Sequence, residues 1–501
     1  MSSYDGILVA TASAGTGKTT ALIARLLGWS LGEGWRRSEE ALGRHQSEWG
    51  TWASEDIAGR VLSRVVCITF TEKAAAQMVE KFSEGLTFLL EGRTLPGLSP
   101  EELPQDATVL RKRIAALTAC QDQLNLTTIH SFCRGILARH PLEAELHPGF
   151  VIDADQRILE DTCKDVVEDS VRSSLEAEGQ HPVIELLLTG ISPTDIAQCL
   201  HRLVLSGVSP LELGRDPFEP GKVSTFVGGL STHVTGILTL AGERFKGSRS
   251  AAAQRVISWC ADFHDYLPMN RSEMEILAES ARYVNEDLES KVRDRLRDWR
   301  KGVFTGTEAK ALGGDLESFQ AHATGIFNSL TRLKTLDVGL IRLSYTALGP
   351  LLTAVRERLR VAGVVTFPQL LSATARLLSK HPSTVCAKER KRLDQLMVDE
   401  FQDTDEEQCS IVRMLALRGD PKHRPGLFLV GDPKQSIYGW RNADLTTYTR
   451  FIQEVLDEHQ AETQPLSTNW RSCPEIIDEV NRVFGQVMQE DKGFQPAYAP
   501  L

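Results

Sequence analysis

Apolar and polar positions follow two distinct rhythms along the 501-residue chain. Short β-branched runs at 6–11, 64–70 and 124–129 each lead into a stretch with helical spacing, at 18–29, 71–90 and 131–140. A strand that hands over to a helix and then repeats predicts a parallel sheet with helices on its faces. A segment at 32–59, rich in Trp, Arg and Glu, separates the first helix from the second strand and reads as surface decoration. From about residue 151 to 391 the pattern becomes long amphipathic helices dominated by Leu, Ala, Arg and Glu. The first rhythm then returns, with strands at 393–398 and 427–430 and helices at 404–417 and 445–459. Thr404 and Glu407 have capping-box spacing, which predicts a helix start directly after an acidic cluster. No internal repeat or low-complexity tail is present.

Composition narrows the class. At 42% hydrophobic and 25% charged residues, the chain has the balance of an ordinary globular protein. No apolar run reaches the roughly 18 residues of a membrane span, and the N-terminus has neither the basic nor the apolar region of a signal peptide. A cytoplasmic protein is expected. The net charge of -11 argues against a uniformly basic nucleic-acid coat and leaves a local groove unconstrained. The nine cysteines are scattered, without a CxxC pair or zinc-like spacing, and read as reduced thiols that fill the core.

Two segments carry chemistry. Ala12, Ser13, Ala14, Gly15, Thr16, Gly17, Lys18, Thr19 and Thr20 follow an apolar strand and open a helix, the setting of a phosphate-binding loop. Gly15 and Gly17 let backbone N–H groups curl round phosphate oxygens, Lys18 reaches the β- and γ-phosphates of a nucleotide, and Thr19 can ligate Mg²⁺. The bland alternative is a Gly-rich strand-to-helix turn. The second segment, Val398-Asp399-Glu400-Phe401-Gln402-Asp403, puts two carboxylates at the C-terminal end of a buried strand, where open α/β sheets place ligands. Asp399 is suited to hold the same Mg²⁺. Glu400 is suited to orient and deprotonate an attacking water, which leans toward hydrolysis. A solvated acidic turn is the alternative.

These residues resemble the UvrD/Rep-type superfamily 1A DNA helicases, and within them the RecB and AddA helicase-nuclease subunits. Six blocks stand in family order: Ala12 to Thr19, Ile68 to Ala75, Thr128 to Phe132, Val398 to Thr404, Val430 to Arg441, and Asn469 to Ser472. The resemblance implies a RecA-like P-loop NTPase domain with a parallel sheet, in two parts at 1–150 and 392–460, interrupted by a large mainly α-helical insert at 151–391. Residues 461–501 would open a second RecA-like domain. It implies ATP and Mg²⁺ as cofactors, single-stranded DNA and duplex junctions as partners, a partner subunit, and 3′ to 5′ movement in repair or double-strand-break processing. Gln435 would couple hydrolysis to DNA, Trp470 would stack on adenine, and Arg471 would touch the γ-phosphate. Thr69, Phe70, Thr71, His130, Ser131, Phe132, Tyr438, Trp440 and Arg441 would line the DNA groove. For Trp440 a core aromatic, and for His130 a structural histidine, are the alternatives.

Departures accompany the matches. Relatives carry a Gln upstream of the phosphate loop that reads adenine, and none lies between Met1 and Gly6. Where relatives often show an acidic run, this chain has Thr366-Phe367-Pro368-Gln369-Leu370-Leu371. Only about 30 residues follow the last block, enough for a helix or two, so the sequence reads as the N-terminal portion of a longer protein. Basic clusters at 291–301 and 388–392 offer phosphate contacts or, on the bland reading, a solvated helix face. The rival from another class is a non-catalytic nucleotide- and DNA-binding module or scaffold.

Overall fold

The computed structural model describes residues 4–44, 52–176, 179, 181–245, 250–266, 272–286, 290–436, 445–488 and 495–500. The chain divides into two compact units, Met1–Gln156 with Leu359–Leu501, and Arg157–Arg358.

The first unit is built on six strands: β1 (Ile7–Ala12), β2 (Val65–Thr69), β3 (Asn125–Thr128), β6 (Gln395–Val398), β7 (Gly426–Gly431) and β8 (Glu462–Leu466). Their order is β3-β2-β6-β7-β1-β8, and every pairing is parallel. Side chains alternate between faces with the period of two that a strand imposes. Val9, Val66, Ile68, Leu396, Val398 and Leu429 enter one core. Leu8, Ala10, Cys67, Met397, Phe428 and Val430 enter the other. Burial of both faces explains the near-continuous apolar runs of the central strands. Because all six strands point the same way, their C-terminal ends emerge along one edge.

Several expectations change in the folded chain. The 32–59 segment is more than decoration: the helices Glu33–Gly43 and Ser54–Ser63 place Trp35, 3% exposed, and Ile57, Ala58, Val61 and Leu62 in the second core. Charged residues spaced between these apolar ones mask the periodicity. The helix expected at 404–417 is α-helical over Glu406–Val412 and continues as a π-helical turn, Arg413–Leu417. Its cap is Asp405, which accepts from Gln408 N, while the Thr404 hydroxyl donates to the Phe401 carbonyl. β8 adds to β1 as an edge strand, so 462–466 belongs to the first sheet.

The described residues of the second unit form helices joined by loops, with no strand among them. Helices Pro220–Phe245, Ala251–Tyr266, Glu273–Glu286, Ser290–Arg300 and Leu316–Lys334 enclose a core that includes Val234, Ile237, Phe263, Trp299 and Phe319. This unit ends at Arg358, not at 391. The helix Phe367–Lys380 instead buries Leu370, Leu371, Leu377 and Leu378 in the first sheet's core. A short parallel pair, β4 (Val151–Ile152) with β5 (Val364–Val365), joins the segments that lead out of and back into the first unit. Pinning both ends reduces the entropy available to the long intervening chain.

In the basic cluster at 291–301, Arg295 turns inward onto Glu308 of the next helix, and Arg297 pairs with Asp294 of its own helix at 2.9 Å. In the 388–392 cluster Arg390 is buried and donates to the Met414 carbonyl. Contrary to the reading that no run is long enough, Gly221–Ala241 and Val338–Ala362 are long and apolar enough to cross a membrane by length and composition. Val223, Leu230, Val234 and Ile237 of the first, and Leu351, Leu352 and Val355 of the second, are buried within the protein. The cysteines are free thiols; seven are buried, Cys199 is half-buried and Cys473 is exposed.

Candidate active site

The loop after β1 is shaped by two glycines. Gly15 and Gly17 have φ of +79° and +86°, a region that costs a side-chain-bearing residue about 1–2 kcal/mol. Gly17 caps the helix Lys18–Leu31, aiming its first N–H groups into the loop. The Thr16 hydroxyl donates to the Ser13 carbonyl at 2.8 Å and accepts from Ser13 N at 3.1 Å, which closes the turn. Lys18, Thr19 and Thr20 form the helix's first turn.

The acidic segment meets this loop from β6, two strands away. Lys18 Nζ donates to Glu400 Oε2 at 2.6 Å and to Gln435 Oε1 at 3.2 Å. Glu400 adopts a left-handed backbone at φ +50°, strain that persists only where the surroundings over-determine it. Here Asp399 Oδ1 accepts from Glu400 N at 3.0 Å, and Gln402 Nε2 donates to Glu400 Oε2 at 2.8 Å. Gln402 also accepts from Asp432 N at 2.8 Å, and Gln435 Nε2 donates to Asp432 Oδ2 at 2.6 Å. Gln402 and Asp432 are buried and connect the ends of β6 and β7. Sequence reasoning assigned them no role, although both lie inside quoted blocks. Lys434 was also missed; its Nζ donates to Ser13 Oγ at 2.8 Å.

After β8 the chain folds directly onto the phosphate loop. Trp470 N donates to the Gly15 carbonyl at 2.9 Å, and Asn469 Nδ2 donates to the Ala14 carbonyl at 2.6 Å. Asn469 Oδ1 accepts from the backbone N–H of Arg471 and Ser472. A methyl on Gly15 would meet Arg471 Cβ at 2.8 Å, so the two loops fit only with glycine there. Trp470 stays 76% exposed, beside a cavity of about 1500 Å³ lined by Gly17, Thr20, Arg25, Arg36 and Gln464. That volume exceeds what a nucleotide requires.

Burial, and then the Glu400 charge, push the Asp399 carboxyl up to about 6, and the same two causes raise Asp403 to about 6. Asp399, Glu400 and Asp403, with Lys18 the one cation paired to them among the described residues, form an oxygen donor set that suits a hard divalent cation. Thr19 and Asp399 are the residues that would hold Mg²⁺. Between the ordinary carboxyl value of 3.8 and about 6, the folded chain binds more protons here than the unfolded chain. Stability of the nucleotide-free protein from this source therefore falls as pH rises through that window. Asp399→Asn is expected to stabilise the nucleotide-free chain by about 1–2 kcal/mol near pH 7 and hardly at all near pH 4. Thermal melts at the two pH values check this; equal melting of both proteins near pH 7 contradicts it.

The segments expected to face DNA lie at the same sheet edge, after β2 and β3. Thr69 is 2% exposed and donates to the Thr71 carbonyl at 3.0 Å, so its hydroxyl is turned inward. Thr71 caps the helix Glu72–Leu90 by accepting from Ala74 N. Ser131 is exposed and donates to Glu72 Oε1, whereas Phe70, His130 and Phe132 are half-buried. The His130 ring meets Phe367 edge-on at 5.1 Å, and burial lowers its pKa. Tyr438, Trp440 and Arg441 lie outside the described residues.

Residues 1–455 match the UvrD/REP helicase N-terminal domain. The chain is 26% identical to the RecB subunit of the RecBCD enzyme of Chlamydia trachomatis, over 84% of this chain and 39% of that protein. It is 25% identical to one of the subunits of the ATP-dependent helicase/nuclease of Geobacillus thermodenitrificans, over 97% of this chain and 39% of that protein. With RecB of Escherichia coli the identity is 40%, over 27% of this chain and 11% of that protein. The chain thus spans about two fifths of the length of the first two curated relatives. With its phosphate loop, acidic strand end and returning Asn469–Ser472 loop assembled on one sheet edge, the chain belongs to the UvrD/Rep helicase family.

Proposed function

We propose that this chain is the ATP-hydrolysing core of a DNA helicase that moves 3′ to 5′ on single-stranded DNA during repair or double-strand-break processing. The observation that carries this reading is the convergence of Glu400 and Gln435 on Lys18 Nζ, at 2.6 and 3.2 Å. Lys18 and Arg471 stabilise charge on the transferring phosphoryl group, and guanidinium suits bidentate phosphate contact. Glu400 takes the proton of the attacking water. Thr19 and Asp399 would hold Mg²⁺, which would neutralise charge on the phosphates when bound. Trp470 stacks on the base in the neighbouring cavity.

Gln435 carries the nucleotide state toward the DNA groove, since its amide can both donate and accept. Phe70, Thr71, His130, Ser131, Phe132, Tyr438, Trp440 and Arg441 bind single-stranded DNA, with Thr69 supporting the turn. The helical unit serves as the helical insert, and the chain after β8 opens the second RecA-like domain. The protein works in the cytoplasm with a partner subunit of a helicase-nuclease complex.

The test is ATP hydrolysis by the full-length protein with and without single-stranded DNA. Stimulation by DNA is expected; a DNA-independent rate refutes the coupled mechanism and favours a scaffold in which nucleotide only stabilises the fold. Trp440→Ala is expected to weaken single-strand binding by about 1–3 kcal/mol and to leave nucleotide affinity intact. An unchanged DNA affinity in a fluorescence titration returns Trp440 to the protein core.

A further inference from the structure

Two histidines meet inside the helical unit. His233 lies on the helix Pro220–Phe245 and His322 on the helix Leu316–Lys334, and their Nδ1 atoms are 3.2 Å apart with the rings inclined by 67°. Each ring lies against a glycine of the opposite helix. A methyl on Gly236 would meet Cε1 and Nε2 of His322 at 2.5 Å, and a methyl on Gly325 would strike Cδ2 and Nε2 of His233. The two glycines let each ring rest on the opposing backbone and turn its Nδ1 toward the other.

Among the described residues no ion pair reaches either ring, and burial followed by the neighbouring His322 disfavours the charged form of His233. Neutral imidazole is the form that ligates metals. Two imidazoles facing through Nδ1 can share one proton or one metal ion, and 3.2 Å is compatible with either. Zinc–nitrogen bonds of about 2.05 Å at a tetrahedral angle separate two nitrogens by about 3.3 Å, close to the 3.2 Å between these two Nδ1 atoms. Both rings are half-buried, which leaves a solvent side for water ligands.

We propose that His233 and His322 form a two-histidine site for a borderline divalent transition metal, zinc foremost, with water completing the coordination sphere. The metal staples helix 220–245 to helix 316–334. Imidazole nitrogen favours Zn²⁺, Ni²⁺ or Cu²⁺ over Mg²⁺, so the site is chemically separate from the nucleotide's metal and independent of the proposed ATPase. Among the described residues Glu454, Glu458 and His459 form the three-residue group that also offers ligand atoms in mutual reach, and it serves as the internal control.

The test is calorimetric zinc titration of the metal-stripped chain in excess Mg²⁺, alongside His322→Asn, His233→Asn and His459→Gln. Asparagine keeps a polar atom near the Nδ1 position, and circular dichroism without metal establishes that each variant is folded. One zinc equivalent is expected in the parent and in His459→Gln, and loss of that equivalent in each of the other two. Zinc is also expected to raise the thermal midpoint of the parent and not that of His322→Asn. Equal zinc uptake by the parent and either Asn variant overturns the proposal, as does loss confined to His459→Gln. Cobalt substitution of the parent needs no variant: ligand-field bands without a thiolate charge-transfer band are expected, and a strong thiolate band places the metal on cysteine and refutes the site.

Discussion

Glu400→Gln is expected to lower the rate of ATP hydrolysis by about 10²–10⁴-fold while nucleotide affinity is kept or improved. The substitution preserves side-chain length, and its amide oxygen can still accept from Lys18 Nζ and Gln402 Nε2, which now bond to Glu400 Oε2 at 2.6 and 2.8 Å. What disappears is the base that takes the proton from water. The negative charge disappears as well, and that charge is one of the causes that raise Asp399 and Asp403. Relief of that repulsion offsets the loss of Lys18's charge partner, so the variant should melt close to the parent, and circular dichroism at the assay temperature establishes that the lost rate is not unfolding. Single-turnover hydrolysis combined with nucleotide titration separates the two effects. Hydrolysis at the parent rate removes Glu400 from the chemistry and leaves the Lys18 contact as a structural ion pair.

Glu308→Ala is expected to destabilise the helical unit by about 3–5 kcal/mol, the cost of leaving a buried partner charge uncompensated. Glu308 is completely buried and accepts from Arg295 Nε at 3.0 Å, Trp299 Nε1 at 3.3 Å, Thr305 N at 2.9 Å and Ser250 Oγ at 3.0 Å. Truncation strands Arg295, itself buried, together with the capping N–H of the helix Gly306–Leu312. Replacing both charges by apolar residues, as in Arg295→Met with Glu308→Leu, should recover much of the loss, because desolvation of the pair costs nearly as much as its attraction returns. Denaturant unfolding monitored at Trp299 reads the change. A loss near that of a surface substitution would mean that Arg295 finds water when its partner is removed. Nucleotide binding by the first unit should be retained in Glu308→Ala.

The parts of the site legible from the residues themselves share one property: local encoding. The loop from Ala12 to Thr20 has its glycines where φ is positive, and Asp399 and Glu400 follow an apolar run that forms a buried strand. Trp470 and Arg471 were expected at the nucleotide from family resemblance, and their loop folds onto Gly15. Gln402 and Lys434 were not legible. Their roles depend on partners at Glu400, Asp432 and Ser13, separated along the chain by as many as 421 positions. Trp35 was misjudged for a related reason: flanking charges hide an apolar residue whose burial is decided by helices packing from elsewhere.

By itself the sequence determined the alternation of strands and helices, the parallel sheet it implies, and the phosphate loop and acidic strand end, because backbone conformation and side-chain period act over a few residues. Tertiary structure alone decided the strand order and the attachment of β8 to the first sheet. It also decided that the helical unit ends at Arg358, that Lys18 contacts Glu400 and Gln435, and that His233 faces His322. Each of these is a choice among distant surfaces with similar local patterns, and such choices are settled by the total burial and hydrogen bonding of the folded chain.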